Sequence, residues 1–556
     1  MKAGDTASPH GLKAPAHRPV VMGSRGAVAS GQALASQVGI SVLQAGGNAV
    51  DAAVAVGAAL NMVEPNMSGI GGDGFIMVYM KGASIEIANG TGAAPLVSNA
   101  ETFRKSGIPR KGILSVAVPG VCDAWLMAHE KHGRLPLERV LAPAIQLAED
   151  GFPVSAKLAA SLAEQDPAFA AIPFSREVFC KDDRPLRAGE ICRNPNLART
   201  FRLLVREGRD AFYGGEIARM LVEFSERTDG LLTMQDFKRH RSFWQEPIST
   251  TYRDFKVFEA PPNSSGLTLL QELNLIEHFD LGKLGCNTAD AIHVMVEAKR
   301  LAFADREAFV GDPDFVDVPT DDLVSKEYAA SRVGLINRAT MARGVEPGMP
   351  SHSRSGTAIA EDTTCFVIAD GEGNAVCQLQ SLQSSWGSGL VAGETGILLN
   401  NRMTYWHLEE DHPDCLQPGK RVRHTMNSVM VFTPTDQLAF VLGTPGADTQ
   451  VQTNLQMISH LLDFGLDPQE AVESPRWRHI GAKTESEHPH ADADELRLEA
   501  RFEPEVIEGL RRKGHVVTVI GGWEAVGSEM IIKVHPDSGA LCAGADPRRD
   551  GYALAW

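Results

Sequence analysis

Asp362-Thr363-Thr364-Cys365-Phe366-Val367-Ile368-Ala369-Asp370-Gly371-Glu372-Gly373-Asn374-Ala375-Val376 is the most legible stretch of this chain. Two runs rich in β-branched and apolar residues, Thr363–Ala369 and Ala375–Leu382, flank a turn whose Gly371, Gly373 and Asn374 tolerate positive φ, which predicts a hairpin. With the turn centred on Glu372, residues equally far from it lie opposite one another, so Thr363 faces Ser381. Two hydroxyls then meet at the open end of the ribbon. Upstream, Arg343–Glu361 is rich in Gly, Pro, Ser and Thr and poor in apolar residues, the composition of an exposed linker that stops at Thr363. On these residues alone, Thr363 and Thr364 are ordinary strand threonines.

Working outward, the pattern is mixed α and β. Ala27–Leu43 and Ala49–Val63 have helical spacing, the second with Asp51 in its first turn, where a negative charge suits the helix dipole. Ser68–Gly74 is a glycine loop, followed by strand-like Phe75–Met80. Its Gly69-Ile70-Gly71-Gly72-Asp73-Gly74 satisfies GxGxxG, but a dinucleotide fingerprint follows a strand and opens a helix, and here the order is reversed. Helices are expected at Val121–Lys131, Leu137–Glu149, Pro195–Glu207 and Thr288–Val310, the third capped by Asn194 with Pro195 at its first position. Thr251–Ala260 reads as one strand running into the loop Pro261–Gly266.

At 556 residues the chain exceeds one ordinary core, so several units or one large layered domain are expected. A hydrophobic content of 43% with 22% charged residues is globular. The formal charge of −17 and the lack of a Lys/Arg block argue against nucleic acid. No apolar run is long enough for a membrane span, and Met1–Arg25 shows no secretory signal, so cytoplasmic residence is expected. The eight cysteines show no CxxC spacing and read as reduced thiols. Cys365 reads as a buried strand residue. The acidic tract Glu485–Glu495, with His488 and His490, reads as a solvated loop rather than a metal site.

From about Arg25 to Trp556 the chain resembles the gamma-glutamyltranspeptidase family. The resemblance rests on AGGNAVDAAVAVGAALNMVEPNMSGIGGDGF (45–75), FYGG (212–215), PPNSSG (261–266), DTTCFVIADGEGNAV (362–376), SGLVAGETGILLNNRM (388–403) and GTPGA (443–447), in the family order. It implies an α+β fold, the four-layer αββα sandwich of N-terminal-nucleophile hydrolases. It also implies a precursor cut between Asp362 and Thr363, with residues 1–24 a disordered tail, 25–362 a large segment and 363–556 a small one. The two fragments would stay associated in one unit.

By the same resemblance, Thr363 is the nucleophile, Ser381 orients it, and the turn at Gly446 and Ala447 supplies the oxyanion-binding N–H groups. Pocket residues would be Thr91, Gln383, Arg402, Tyr405, His424 and Thr425. Several depart from the family pattern: Thr91 stands where an arginine is expected, Thr404-Tyr405 where a carboxylate is, and His424-Thr425 where two serines are. Both halves of an amino-acid clamp are thereby lost, while Arg402, Arg423 and His424 suggest a cationic pocket. The stretch 403–418 is also short for a lid-bearing loop. These departures resemble the branch containing oxamate amidohydrolases and cephalosporin acylases. The implied activity is hydrolysis of a small, carboxylate-bearing acyl amide, with no cofactor and no metal. The alternatives are a γ-glutamyl transferase or glutathione hydrolase with a rebuilt clamp, and a catalytically silent binding protein. The sequence is compatible with a homo-oligomer.

Overall fold

The computed structural model describes residues 16–165, 172–350, 363–481, 484–486 and 494–556. Two seven-stranded sheets dominate it. The first runs, edge to edge, Val21–Gly23, Leu541–Ala545, Met530–Val534, Leu438–Gly443, Val429–Phe432, Phe255–Glu259 and Ile248–Tyr252. The second runs Tyr552–Ala555, Gly26–Ser30, Thr364–Asp370, Ala375–Ser381, Asp73–Tyr79, Glu86–Gly90 and Phe243–Gln245. All neighbouring strands in both are antiparallel.

The sheets pack face to face through Ala27, Phe75, Met77, Cys365, Val367, Cys377 and Leu379 on one side and Met430, Val441, Ile532 and Ala543 on the other. The opposite face of the second sheet, including Phe366, Ile368 and Val376, packs under the helices Ala33–Gln44, Ala49–Val63 and Val121–His132. The outer face of the first carries Gly266–Ile276, Ala289–Phe309 and Thr449–Leu462. This is the expected αββα sandwich. It also explains why Thr364–Asp370 and Ala375–Ser381 read as nearly continuous apolar runs, because both faces are covered.

Local chemistry sets the ends of the elements. Asn48 Oδ1 accepts the Val50 and Asp51 N–H groups at 3.0 Å each, and Asp51 Oδ2 accepts the Asn48 N–H at 2.9 Å, so the buried helix Ala49–Val63 starts on a reciprocal cap. The hairpin register is the expected one: Thr364 pairs with Gln380 and Cys365 with Leu379.

Three expectations are corrected. Gly26–Ser30 is a central strand, and the helix begins only at Ala33; alanines fit either period, and pairing with Thr364–Asp370 decides. Thr251–Ala260 belongs to two strands joined at Arg253 and Asp254, both with positive φ (50° and 67°), a tight turn built without Asn-Gly. The tail expected over 1–24 is ordered at Val21–Gly23, which pairs with Leu541–Ala545; residues 1–15 lie outside the described residues. No helix among the described residues is long and apolar enough to cross a membrane.

Candidate active site

Strand register brings the site together. Ser381 pairs with Asp73, Gln380 with Thr364 and Gly74 with Gly90. Continuing that register one residue aligns Thr363, Ser381, Asp73 and Thr91 across four adjacent strands at one end of the sheet. Paired residues share a face, here the one looking into the space between the sheets, where Cys365, Leu379 and Phe75 also point.

Thr363 is buried, and its Oγ1 donates to Ser381 Oγ at 3.3 Å. Ser381 Oγ also accepts the Gln383 N–H at 2.9 Å, from a backbone held at φ 83°. Arg549 Nη1 donates to the Thr363 carbonyl oxygen at 3.2 Å. Behind the strand, the Thr364 hydroxyl donates to the Glu64 carboxylate. The Asp362 side of the expected cut lies outside the described residues. Burial pushes the Cys365 thiol well above its usual pKa, reinforced by Cys377, so it stays a neutral core group.

Gly443 ends a strand of the facing sheet, and a Cβ built on it would lie 2.8 Å from Cys365 Sγ and 3.2 Å from Cys377 Sγ. Thr444–Ala447 follow directly from that close approach, which meets the neighbouring strand at Cys365, two residues along from Thr363. Gly446 and Ala447 take φ values of 117° and 46° just before the helix Thr449–Leu462. Among the described residues no group accepts from their N–H groups. Successive N–H groups in such a turn at a helix start favour negative charge.

The remaining candidates surround Asp73. Arg402 donates Nε to Asp73 Oδ2 and Nη2 to Oδ1, both at 3.0 Å, and the two side chains are 1% and 2% exposed. His424 Nε2 lies 3.2 Å from Asp73 Oδ2, and its ring stands edge-on to Phe75. Burial raises the Asp73 pKa, but Arg402 and His424 more than reverse this and hold it below the usual carboxylate value. Burial lowers the His424 pKa, with Asp73 only partly offsetting it, so the imidazole is neutral at neutral pH. The Arg402 guanidinium lies over the Tyr405 ring at 4.8 Å, and the Tyr405 hydroxyl is 3.3 Å from Thr425 Oγ1. Thr91 Oγ1 donates to Asn89 Oδ1 at 2.7 Å and accepts from Asn263 Nδ2 at 3.3 Å.

The expectation of a cationic pocket is therefore corrected. Asp73 neutralises Arg402, Glu307 holds Arg423 at 3.1 Å, and His424 is uncharged. Among the described residues, Arg402 Nη1 is the one nitrogen of that side chain with no hydrogen-bond partner. Asp73 was missed because its glycine run was weighed as a nucleotide loop and otherwise taken as an entry into a strand; an acid among four glycines was the available signal. Asn263 and Arg549 were also missed. The Ser264 and Ser265 hydroxyls of the same PPNSSG loop donate to the Met426 and His424 carbonyls at 2.6 and 2.7 Å, bracing the wall that carries His424. The acidic tract differs as well: Glu485 is buried against Lys299 at 2.8 Å, whereas His488 and His490 lie outside the described residues.

Comparison with known proteins agrees with this arrangement. The gamma-glutamyltranspeptidase family model matches residues 35–556. The glutathione hydrolase-like YwrD proenzyme of Bacillus subtilis is 37% identical over 541 residues, covering 96% of this chain and 99% of that protein. The oxamate amidohydrolase proenzyme of Klebsiella pneumoniae is 32% identical, covering 94% and 97%. Among solved structures, cephalosporin acylase from Bacillus halodurans superposes with a TM-score of 0.88 at 35% identity, covering 99% of each chain.

Proposed function

The chain belongs to the gamma-glutamyltranspeptidase family and is an amidohydrolase or acylase of it, and on that premise we propose that Thr363 first cuts the peptide bond before it and then hydrolyses a small acyl amide. The observation that carries this reading is the buried Thr363–Ser381 hydroxyl pair at the start of a strand whose Cys365 packs on Gly443, the residue that leads into the Gly446–Ala447 turn. In the precursor, the Thr363 hydroxyl attacks the Asp362 carbonyl, the peptide becomes an ester, and water releases it. The freed α-amino group, with a pKa of about 7.7–8.0, keeps a neutral fraction of roughly a tenth to a sixth at pH 7, and that form serves as the base for the same hydroxyl.

In turnover, the α-amino group takes the hydroxyl proton as Oγ attacks the substrate carbonyl. The oxyanion is met by the Gly446 and Ala447 N–H groups. The proton then passes to the leaving amine, and water hydrolyses the resulting ester. Ser381 and Arg549 hold Thr363 from its hydroxyl and carbonyl ends.

The substrate we infer bears a carboxylate reached by Arg402 Nη1 and lacks a recognised α-amino group. Asp73, the carboxylate in this wall, is engaged by Arg402 and His424 and is not free to bind an ammonium. Turnover of oxamate and glutaryl amides should therefore exceed that of glutathione and γ-glutamyl anilides. A preference for the γ-glutamyl substrates would return the clamp reading. Intact mass spectrometry tests the first step: wild type should give two fragments meeting at Asp362/Thr363, and Thr363→Ala a single chain. An uncut wild type would remove Thr363 from the role.

A further inference from the structure

Away from Thr363 lies a buried group of two histidines and a glutamate. His293 and Glu297 sit one turn apart on the helix Ala289–Phe309, and His515 comes from the turn between the helix Pro504–Arg512 and the strand Val517–Ile520. One ligating atom from each lies within 4.8 Å of the others. Side chains four residues apart on a helix share a face, which aims His293 and Glu297 at the same point.

Tautomers decide whether such a group can take a cation. His293 Nε2 lies 2.8 Å from the Asn337 carbonyl oxygen. A carbonyl only accepts, so Nε2 carries the proton and Nδ1 presents its lone pair toward His515 Nε2, 2.7 Å away. A far N–H tied to a backbone carbonyl is the usual setting of a metal-bound imidazole. The other group of this kind, Glu307 with His407 and His412, fails the same test. His412 Nδ1 accepts the Asp414 N–H at 2.8 Å, which puts the proton on Nε2, the nitrogen facing Glu307. A protonated nitrogen has no lone pair for a metal.

We propose that His293 Nδ1, Glu297 and His515 Nε2 bind one divalent transition-metal ion of the Zn2+ type, and that this ion ties the two portions of the chain together. Two imidazoles and a carboxylate are a Zn2+ donor set, with water completing four ligands. Bonds of about 2.0–2.1 Å hold two nitrogens roughly 3.3 Å apart, so the rings part by about half an ångström on loading. Glu297 accepts the Ala342 N–H at 2.8 Å and Arg300 Nη1 at 2.9 Å, and its carboxylate keeps lone pairs for a metal. Without metal, His515 Nε2 donates to His293 Nδ1, so the fold does not depend on the ion; on loading that proton moves to His515 Nδ1, which no hydrogen bond fixes among the described residues, whereas His412 Nδ1 is held as an acceptor by the Asp414 N–H and cannot make the same exchange. His293 and Glu297 precede Thr363 and His515 follows it. The same side chains grip Asn337 and Ala342, on the segment leading toward the expected cut. The clasp role rests on the self-cleavage reading; the binding of metal does not.

The test strips full-length protein with a chelator and titrates it with Zn2+ and with Co2+. The proteins are wild type, His515→Ala, Glu297→Gln, His412→Ala and uncut Thr363→Ala. One ion per chain and a tetrahedral Co2+ spectrum are expected in wild type, His412→Ala and Thr363→Ala. Affinity should fall about tenfold or more in His515→Ala and Glu297→Gln. Should His515→Ala fail to fold, Glu297→Gln and the wild-type Co2+ spectrum still decide. In cut wild type, Zn2+ should raise the melting temperature, and in Glu297→Gln it should not. Wild type that takes up no stoichiometric Zn2+ or Co2+, or variants that bind as wild type does, would overturn the proposal. Binding by Thr363→Ala separates this result from any failure of self-cleavage.

Discussion

Replacing Asp73 by asparagine strands a buried cation. Both Asp73 oxygens accept from Arg402 at 3.0 Å, and neither side chain is more than 2% exposed. Asparagine keeps the volume and one acceptor, but its NH2 then meets an Arg402 N–H, donor against donor, and the guanidinium has no counter-charge. Breaking a buried pair from one side costs about 3–5 kcal/mol. The remaining acceptor places the loss near the lower end, about 3 kcal/mol, or roughly a hundredfold in the folding equilibrium. Denaturant unfolding of the uncut Thr363→Ala protein, followed by tryptophan fluorescence and far-ultraviolet circular dichroism together, measures this without interference from processing. Arg402→Met added to Asp73→Asn removes the stranded charge and should recover most of the loss. A single variant within about 1 kcal/mol of its parent, or a double variant no better than the single, would refute the pairing as the organiser of this wall.

Ser381→Ala leaves the Gln383 N–H without its acceptor and Thr363 without its hydroxyl partner, so self-cleavage, timed on gels, should slow by about ten- to a hundredfold, the equivalent of about 1–3 kcal/mol. A Cβ on Gly72 would overlap the Ser381 carbonyl oxygen, so Gly72→Ala should displace Ser381 and block processing, whereas Gly82→Ala, with nothing near its Cβ position, should still yield both fragments. Ala447→Gly relieves a left-handed residue at φ 46° and should stabilise the chain by about 1 kcal/mol, seen as a higher melting temperature with turnover retained. The His424 pKa is depressed on folding, so its contribution is present above the unfolded value of 6.5 and fades as pH falls below it. The depressed Asp73 adds a second loss below 3.8, which Asp73→Asn should abolish in a pH series of unfolding curves.

Much of this site was legible because a hairpin is local. The turn at Asp370–Asn374 fixes the Thr363–Ser381 pairing without reference to the rest of the chain, and the caps of Ala49–Val63 and Pro195–Glu207 are likewise set by residues a turn away. What was not legible depends on distant partners. Gly26–Ser30 is a strand because Thr364–Asp370 lies beside it, more than three hundred residues away. Arg402 looks like a free cation until Asp73 arrives from another strand. Charge pairing across such separations leaves no periodicity to read, and so Arg402 and His424 were expected in this wall while Asp73, which sets its net charge, was not.

Both sheets interleave strands from either side of Thr363: Thr364–Asp370 lies against Gly26–Ser30, Ala375–Ser381 against Asp73–Tyr79, and Val429–Phe432 against Phe255–Glu259. If the backbone is cut before Thr363 as proposed, the molecularity of folding changes. The first folding is a single-chain event whose rate is indifferent to dilution. Any later refolding is a second-order encounter between two fragments, each lacking the strands that would cover its own sheet edges. A melted sample of the cut protein should therefore refold at a rate that rises with its concentration, and a protein so cut would owe its persistence to slow unfolding and to the history of its one intact passage.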